Sequence, residues 1–279
     1  MKLGVSYIVF DGVELLEHSI KQIRDHVDWI QVIYQNRSWF GHSLPKEDLF
    51  ELKRLEKTRW VNELTIFDGF TPLTDYSQNS IVKSKSYERN KRQLGLQSCL
   101  RNGCTHYLCM DVDEFYISQE FKEAKDNIIK EGLDVTSVKY INYVNLPTLH
   151  RGSDGSTVPF ICRINQSSTM GRKFFSKCDP TRGIETRGIP KNKMRVLNHT
   201  DIKMHHMETV RKNLLLKYQS TTRSIFNRQK TSDLINNIRS VNESTTKFGF
   251  NRIIFPAVNG VELKRVDNIF NIPYETWIR

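Results

Sequence analysis

The strongest constraint on the fold is the way the apolar pattern changes period along the first hundred or so residues. Residues 2–10 (KLGVSYIVF) form a short β-branched run that ends at Asp11-Gly12, the composition of a strand entering a turn. From 13 to 27 the apolar positions Val13, Leu16, Ile20, Ile23 and Val27 recur every three or four residues, the period of a helix with one buried face. Residues 29–34 (WIQVIY) are strand-like again, 45–57 carry Leu49, Leu52 and Leu55 at helical spacing, and 62–67 (NELTIF) read as a third strand. An order of β-α-β-α-β predicts an α/β fold, a mixed, mostly parallel sheet flanked by helices, with ligands bound beyond the carboxyl ends of the strands.

The pattern continues with a polar, turn-rich stretch over 71–84, expected as a surface loop that carries ligand contacts. A helix is predicted from 85 to the Asn102-Gly103 stop, and 105–110 (THYLCM) is a buried fourth strand running straight into Asp111-Val112-Asp113-Glu114-Phe115. Further on, the sequence predicts a helix over 118–130, a long strand over 135–146 and shorter strands over 158–165 and 172–177. A loop over 179–192 leads to a last strand ending at His205-His206, and amphipathic helix follows from 208, in two pieces through 242. The final stretch carries no assignable pattern.

Composition narrows the class. With 38% hydrophobic residues, 14 Gly and 8 Pro, the chain of 279 residues is neither disordered nor fibrous. No run approaches the roughly 18 apolar residues that cross a bilayer, and the opening segment lacks the layout of a signal peptide. Cys99, Cys104, Cys109, Cys162 and Cys178 form no disulfide framework and no zinc spacing. The expected location is therefore cytoplasmic, with reduced thiols. Lys+Arg 42 against Asp+Glu 31 leaves a formal charge of +11, which admits nucleic acid, an anionic membrane surface or a phosphorylated ligand as partner. No basic arm or tail is present to favour nucleic acid.

Asp111 and Asp113 stand two apart at the end of an apolar strand, so their side chains leave one face and meet one ligand. Two hard carboxylates there suit Mg²⁺ or Mn²⁺ shared with substrate phosphates. His205 and His206 are adjacent and point to opposite faces of an extended segment, so only one of them can join such a metal. Ahead of the fourth strand, Lys83, Lys85, Arg89, Asn90, Lys91 and Arg92 cluster, with Arg89 and Arg92 three apart on a helix.

The segment from Asn102-Gly103 through the apolar strand to Asp111-Val112-Asp113-Glu114-Phe115 resembles the GT-A glycosyltransferases, particularly glycosyltransferase family 2. Downstream, Lys173-Phe174-Phe175, then Met204-His205-His206 and Lys217, twelve residues after His205, are similar to a later motif of that family. The resemblance covers about 220 residues and implies a GT-A domain over 1–220, with 221–279 as a C-terminal helical extension packed on it. It also implies a metal-dependent transferase that moves a sugar from a nucleotide-diphospho-sugar, a UDP-sugar by preference, to a glycan or lipid-linked glycan. Asp113 is then the main ligand of Mn²⁺ or Mg²⁺, Asp111 a metal or ribose contact, and His205 the further metal ligand because of its distance from Lys217. Asp11, Arg89, Arg92 and Lys173 are the nucleotide contacts implied, and Glu185 the catalytic base, ahead of Asp179 and Asp201. Gln35-Asn36 stand where relatives keep an acidic residue for the base or ribose. Glu114 either buttresses the site or faces the acceptor. The remaining positive charge fits a peripheral contact with the anionic inner face of a membrane that carries the acceptor. A D-x-D phosphohydrolase ranks behind, since Glu114 follows the motif where such enzymes carry Thr or Val, and a basic nucleic-acid binder is the non-enzymatic alternative.

Overall fold

Leu3–Val9 (β1) is buried at every position, and its sequence accordingly shows no polar alternation. Strands read this way when both faces of a sheet are covered. The computed structural model describes residues 1–75, 77–153, 155–171, 173–220, 231–248 and 261–273. After β1, α1 (Leu16–Ile23) turns Leu16, Ile20 and Ile23 inward, and β2 (Trp29–Tyr34) pairs parallel with β1. α2 (Lys46–Lys57) buries Leu52 and Leu55 and leads to β3 (Glu63–Ile66), parallel to β2. α3 (Gln78–Arg101) crosses back, so that β4 (His106–Asp111) pairs parallel with β1 on its other side, Ile8 opposite Asp111. The parallel half thus runs β3-β2-β1-β4. Connections leave β1 and β4 in opposite directions, which opens a crevice above their carboxyl ends.

β5 (Glu114–Phe115) follows within one turn, then α4 (Ser118–Glu131). β6 (Val135–Val144), β7 (Leu146–His150) and β8 (Thr157–Arg163) form the antiparallel half, joined to β4 through β8. β9 (Met194–Val196) and β10 (Met204–His206) pair parallel with β6, and β10 also pairs antiparallel with β5. The residues after Asp113 are therefore hydrogen-bonded into the body of the fold. α5 (Leu214–Ser220), α6 (Thr231–Arg239), β11 (Lys247–Phe248), β12 (Val261–Glu262) and β13 (Lys264–Arg265) complete the described chain. β13 extends the main sheet at β7. Alternate residues of β1 feed two cores: Val5, Tyr7 and Val9 meet α1, α2 and α4, while Ile8 meets the α3 side with Leu96 and Cys99.

The expected α/β architecture is formed, with local differences. α3 starts at Gln78, inside the stretch expected as a loop over 71–84. Ser77 caps it by accepting from Ser80 N at 3.3 Å, and Asp75 accepts from the Ser77 hydroxyl at 2.7 Å. Its buried residues are Ser80, Ser84, Lys91, Arg92 and Gly95 before Leu96, Ser98 and Cys99 follow near its end, so a hydrophobic period has nothing to register over its first turns. The strand expected over 135–146 breaks at Asn145, whose positive φ of 59° turns the chain into β7. No strand forms at 173–177, and Arg172 lies outside the described residues. Phe174 and Phe175 pack together into the α3-side core instead of alternating. The helix expected from 208 begins at Leu214, and 221–230 lie outside the described residues. So do 249–260 and 274–279 of the expected C-terminal extension, whose described part holds strands as well as α6.

Candidate active site

A cleft of about 560 Å³ opens above the carboxyl ends of β1, β2 and β4. Val9, Phe10 and Asp11 at the end of β1, Gln35 after β2, and Asp111 and Asp113 at the end of β4 line it, with Tyr140, Thr157, Met204 and His206 from the antiparallel half opposite. α3 contributes Ser84, Lys85, Glu88, Lys91 and Arg92. At about 100° per residue these positions fall within roughly 60° of Glu88, whereas Arg89 is turned about 100° away. Near the β1 and β2 ends the Lys91 ammonium donates to Val9 O at 2.7 Å and to Gln35 Oε1 at 3.0 Å, under the Trp39 ring. Burial pushes its pKa down to about 8.

The carboxylates are met by cations at every turn. Asp111 Oδ1 accepts from Arg92 Nη2 at 2.9 Å, and its Oδ2 stands 3.4 Å from Arg182 Nη1. Burial works against its ionisation, but Arg92 and then Arg182 outweigh it and hold the pKa below the usual carboxylate range. Glu114 lies beneath, gripping Arg182 through both oxygens, with Oε2 also accepting from Asp111 N at 3.0 Å. It buttresses the turn between Asp111 and Arg182. Asp113 is 2% exposed; its Oδ2 accepts from Arg211 Nη2 and from Lys217 Nζ at 3.3 Å. Burial again opposes the charge, and Lys217 and Arg211 reverse that, leaving the pKa far below normal.

Between the two histidines the structure reverses the expectation. β10 alternates, so Met204 and His206 face the cleft and His205 faces the opposite side. His205 Nδ1 meets Tyr143 Oη at 2.9 Å, and its ring packs edge-on against Phe270 at 5.0 Å. Burial pushes its pKa down to about 3. His206 Nε2 stands 3.8 Å from Asp113 Oδ1, while Nδ1 lies 3.0 Å from Asn142 Oδ1. An amide oxygen only accepts, so Nδ1 is the donor of that pair, and Nε2 is the ring nitrogen turned toward the carboxylate. His205, the member that the spacing to Lys217 favoured, is thus turned away from the cleft, while Lys217 itself does reach Asp113.

Of the residues expected at a site, Asp11, Arg92, Asp111 and Asp113 line this cleft and Arg89, Lys173, Glu185 and His205 do not. Lys173 is exposed on the 170–190 loop, and Lys177 from the same loop takes its place on the wall. Glu185 backs onto Gly171, where an added Cβ would meet its own Cβ at 2.7 Å, and its carboxylate accepts from Arg187 N at 3.3 Å. Asp179 does line the cleft, with Oδ1 accepting from Thr181 N and Oγ1 at 2.7 Å each. Sequence reasoning missed Arg182 and Arg211, which lie in irregular segments where no period marks them.

Among the described residues no three His, Cys, Asp or Glu side chains converge as a metal centre. Asp113 Oδ1 and His206 Nε2 are the two groups that could hold a divalent cation from one side, and the His206–Asn142 bond orients the ring. Cations of this class commonly complete their shell with water and substrate phosphate oxygens.

No protein-family model matches this chain, and no curated protein matches it. Among solved structures it is similar to TarS of S. aureus, at TM-score 0.42 and 10% identity over 88% of this chain and 45% of that one. A TarS 1–349 structure in complex with UDP-GlcNAc is similar at TM-score 0.35 and 15% identity, over 51% of this chain and 35% of that one. A CMP:2-keto-3-deoxy-manno-octonic acid synthetase complexed with CTP is similar at TM-score 0.32 and 7% identity, over 59% and 72%. The chain thus spans less than half the length of the first two. Among the described residues, no helix is long and apolar enough to cross a membrane.

Proposed function

We propose that this protein transfers a glycosyl group from a nucleoside-diphosphate sugar, a UDP-sugar by preference, to a hydroxyl of a glycan or lipid-linked glycan. The observation that carries this reading is the approach of Asp113 Oδ1 and His206 Nε2 to 3.8 Å on the wall of a cleft at the sheet's switch point. Mn²⁺ held by Asp113 and His206 would supply Lewis-acid stabilisation to the departing diphosphate, and an imidazole donor favours Mn²⁺ over Mg²⁺. Lys217, 3.3 Å from Asp113 and on the cleft wall, adds a fixed positive charge where the leaving group becomes more negative. Arg92 and Arg182 hold Asp111 as an anion, positioned to accept from a ribose hydroxyl. Trp39 and Gln35, with Lys91 behind them, furnish the wall for the base.

An inverting transfer needs a base for the acceptor hydroxyl. Asp179 is the better-placed carboxylate than Glu185: it is on the cleft wall, and Arg92 with the Thr181 bonds keeps it ionised against partial desolvation. The charge of +11 supports peripheral attachment to an anionic membrane bearing the acceptor, which predicts cosedimentation with anionic vesicles and none with neutral ones.

Titration with UDP, GDP and CDP, each with and without Mn²⁺, tests the reading. Mn²⁺-dependent binding of a nucleoside diphosphate is expected, with UDP tightest, together with loss of transfer in Asp113→Ala. Absence of binding to all three, or full transfer by Asp113→Ala, would overturn it.

A further inference from the structure

Arg211, at 1% exposed, is the largest of the fully buried side chains among the described residues. Its guanidinium joins parts of the chain that are far apart in sequence. Nη1 donates to Asp11 Oδ2 at 2.8 Å, Nη2 to Asp113 Oδ2, and Nε to Glu208 O at 2.9 Å. The end of β1 is shaped around it: Gly12 has φ +74°, and a Cβ there would stand 2.9 Å from Nη1. From behind, Arg239 of α6 donates through Nη2 to Lys212 O at 2.7 Å and to Arg211 O at 3.2 Å. α6 is in turn fixed by Ile238, which packs with Leu149, Leu214, Tyr218 and Leu263.

We propose that Arg211 is a positioning residue whose fork fixes the Asp113 carboxylate against the end of β1, and that Arg239 holds Arg211 there, making the C-terminal segment part of the active site. This rests on the transferase reading above. The physical case is geometric. A carboxylate rotates readily about its last bond. With Oδ2 claimed by Arg211 and Lys217, Oδ1 is left toward His206. A lysine at 211 would keep the charge but is a single point on a flexible stem, unable to bridge Asp11 and Asp113 together. Arg211→Lys therefore separates geometry from charge.

The experiment compares the parent with Arg211→Lys, Arg211→Met and Arg239→Met by thermal melting, UDP affinity, kcat and donor KM, and by the EPR spectrum of Mn²⁺ bound without substrate. Arg211→Lys is expected to melt as a folded protein and lose about 10- to 100-fold in kcat, since misplacement of about an ångström costs that much. Its donor KM should change far less, and its Mn²⁺ spectrum should broaden as the ligand set loosens. Arg239→Met should move the same readouts in the same direction by a smaller factor. Parent-like kcat and spectrum in Arg211→Lys overturn the proposal, and if the Arg211 variants do not fold, parent-like kcat in Arg239→Met does so. A parent that binds no nucleoside diphosphate removes the transferase reading and this proposal with it. A parent that binds and transfers while the variants match it removes the proposal alone.

Discussion

A carboxylate as buried as Asp113 stays ionised only when cations meet it, and Lys217 and Arg211 do so here. Its second oxygen is then the one left for a ligand. That arrangement predicts different fates for the neighbouring histidines. His206→Ala is expected to weaken Mn²⁺ binding by at least about tenfold and Asn142→Ala by about tenfold, as for groups that orient an imidazole, whereas His205→Ala leaves Mn²⁺ affinity near that of the parent. Calorimetric titration with Mn²⁺ distinguishes them; equal losses from His205→Ala and His206→Ala would refute the assignment. His205 has a separate consequence for stability. Its folded pKa is depressed to about 3, while in the unfolded chain it titrates near its ordinary value, so its contribution is fully present above about 6.5 and is lost as pH falls toward 3. Urea unfolding at pH 7 and pH 4.5 should therefore show a larger loss for the parent than for His205→Gln, by roughly 2.5 kcal/mol at about 1.4 kcal/mol per pH unit. An identical pH dependence for both proteins would count against burial of a neutral imidazole.

At the scale of elements, α3 sets the distance between the cleft's cationic wall and the strand ends. It lies close on β1 because Gly95 has no side chain: a Cβ there would meet Ser6 Oγ at 2.3 Å and Tyr107 Oη at 2.9 Å. Those two hydroxyls already share a 2.5 Å hydrogen bond, so neither is free to give way. Gly95→Ala gains helix propensity yet is expected to destabilise the fold by about 1–3 kcal/mol through overpacking, and to weaken UDP binding as Lys91 and Arg92 are lifted from the cleft. Stability unchanged or raised in Gly95→Ala would show that the helix stands off further than this. At the other end of α3, Ser77→Ala should cost about 1 kcal/mol for the lost cap, measurable by chemical denaturation and with no effect on UDP affinity.

For the whole molecule, the described C-terminal residues are joined to the sheet at several points. β13 pairs with β7, Asn145 Nδ2 donates to Val241 O at 2.9 Å, and Arg239 reaches the loop that carries Arg211. Thermal or urea unfolding is accordingly expected as one cooperative transition. Ile238→Ala should lower stability by about 2–5 kcal/mol, the range for a buried aliphatic cut to Ala. It should also reduce turnover at temperatures where the protein remains folded. A separate early transition that leaves UDP binding intact would show instead that this segment unfolds independently of the cleft.

What the sequence determined by itself is whatever depends on local period and on short spacing. Continuous apolar runs mark strands covered on both faces, the 3.6-residue stripe marks α1 and α2, and Asn102-Gly103 marks the end of α3 because Gly103 adopts a positive φ of 71°. Asp111 and Asp113 were legible as a strand-end pair for the same reason. The start of α3 was not, because the residues buried there, Ser80 and Ser84, are polar. Only the tertiary structure decided which carboxylate meets which cation. Arg182 and Arg211 come from irregular loops and reach Asp111 and Asp113 across 71 and 98 residues of chain, a distance over which no periodicity carries information. The choice between His205 and His206 was decided in the same way. Alternation required that they face apart, but which face became the cleft was fixed by the pairing of β10 with β5 and β6.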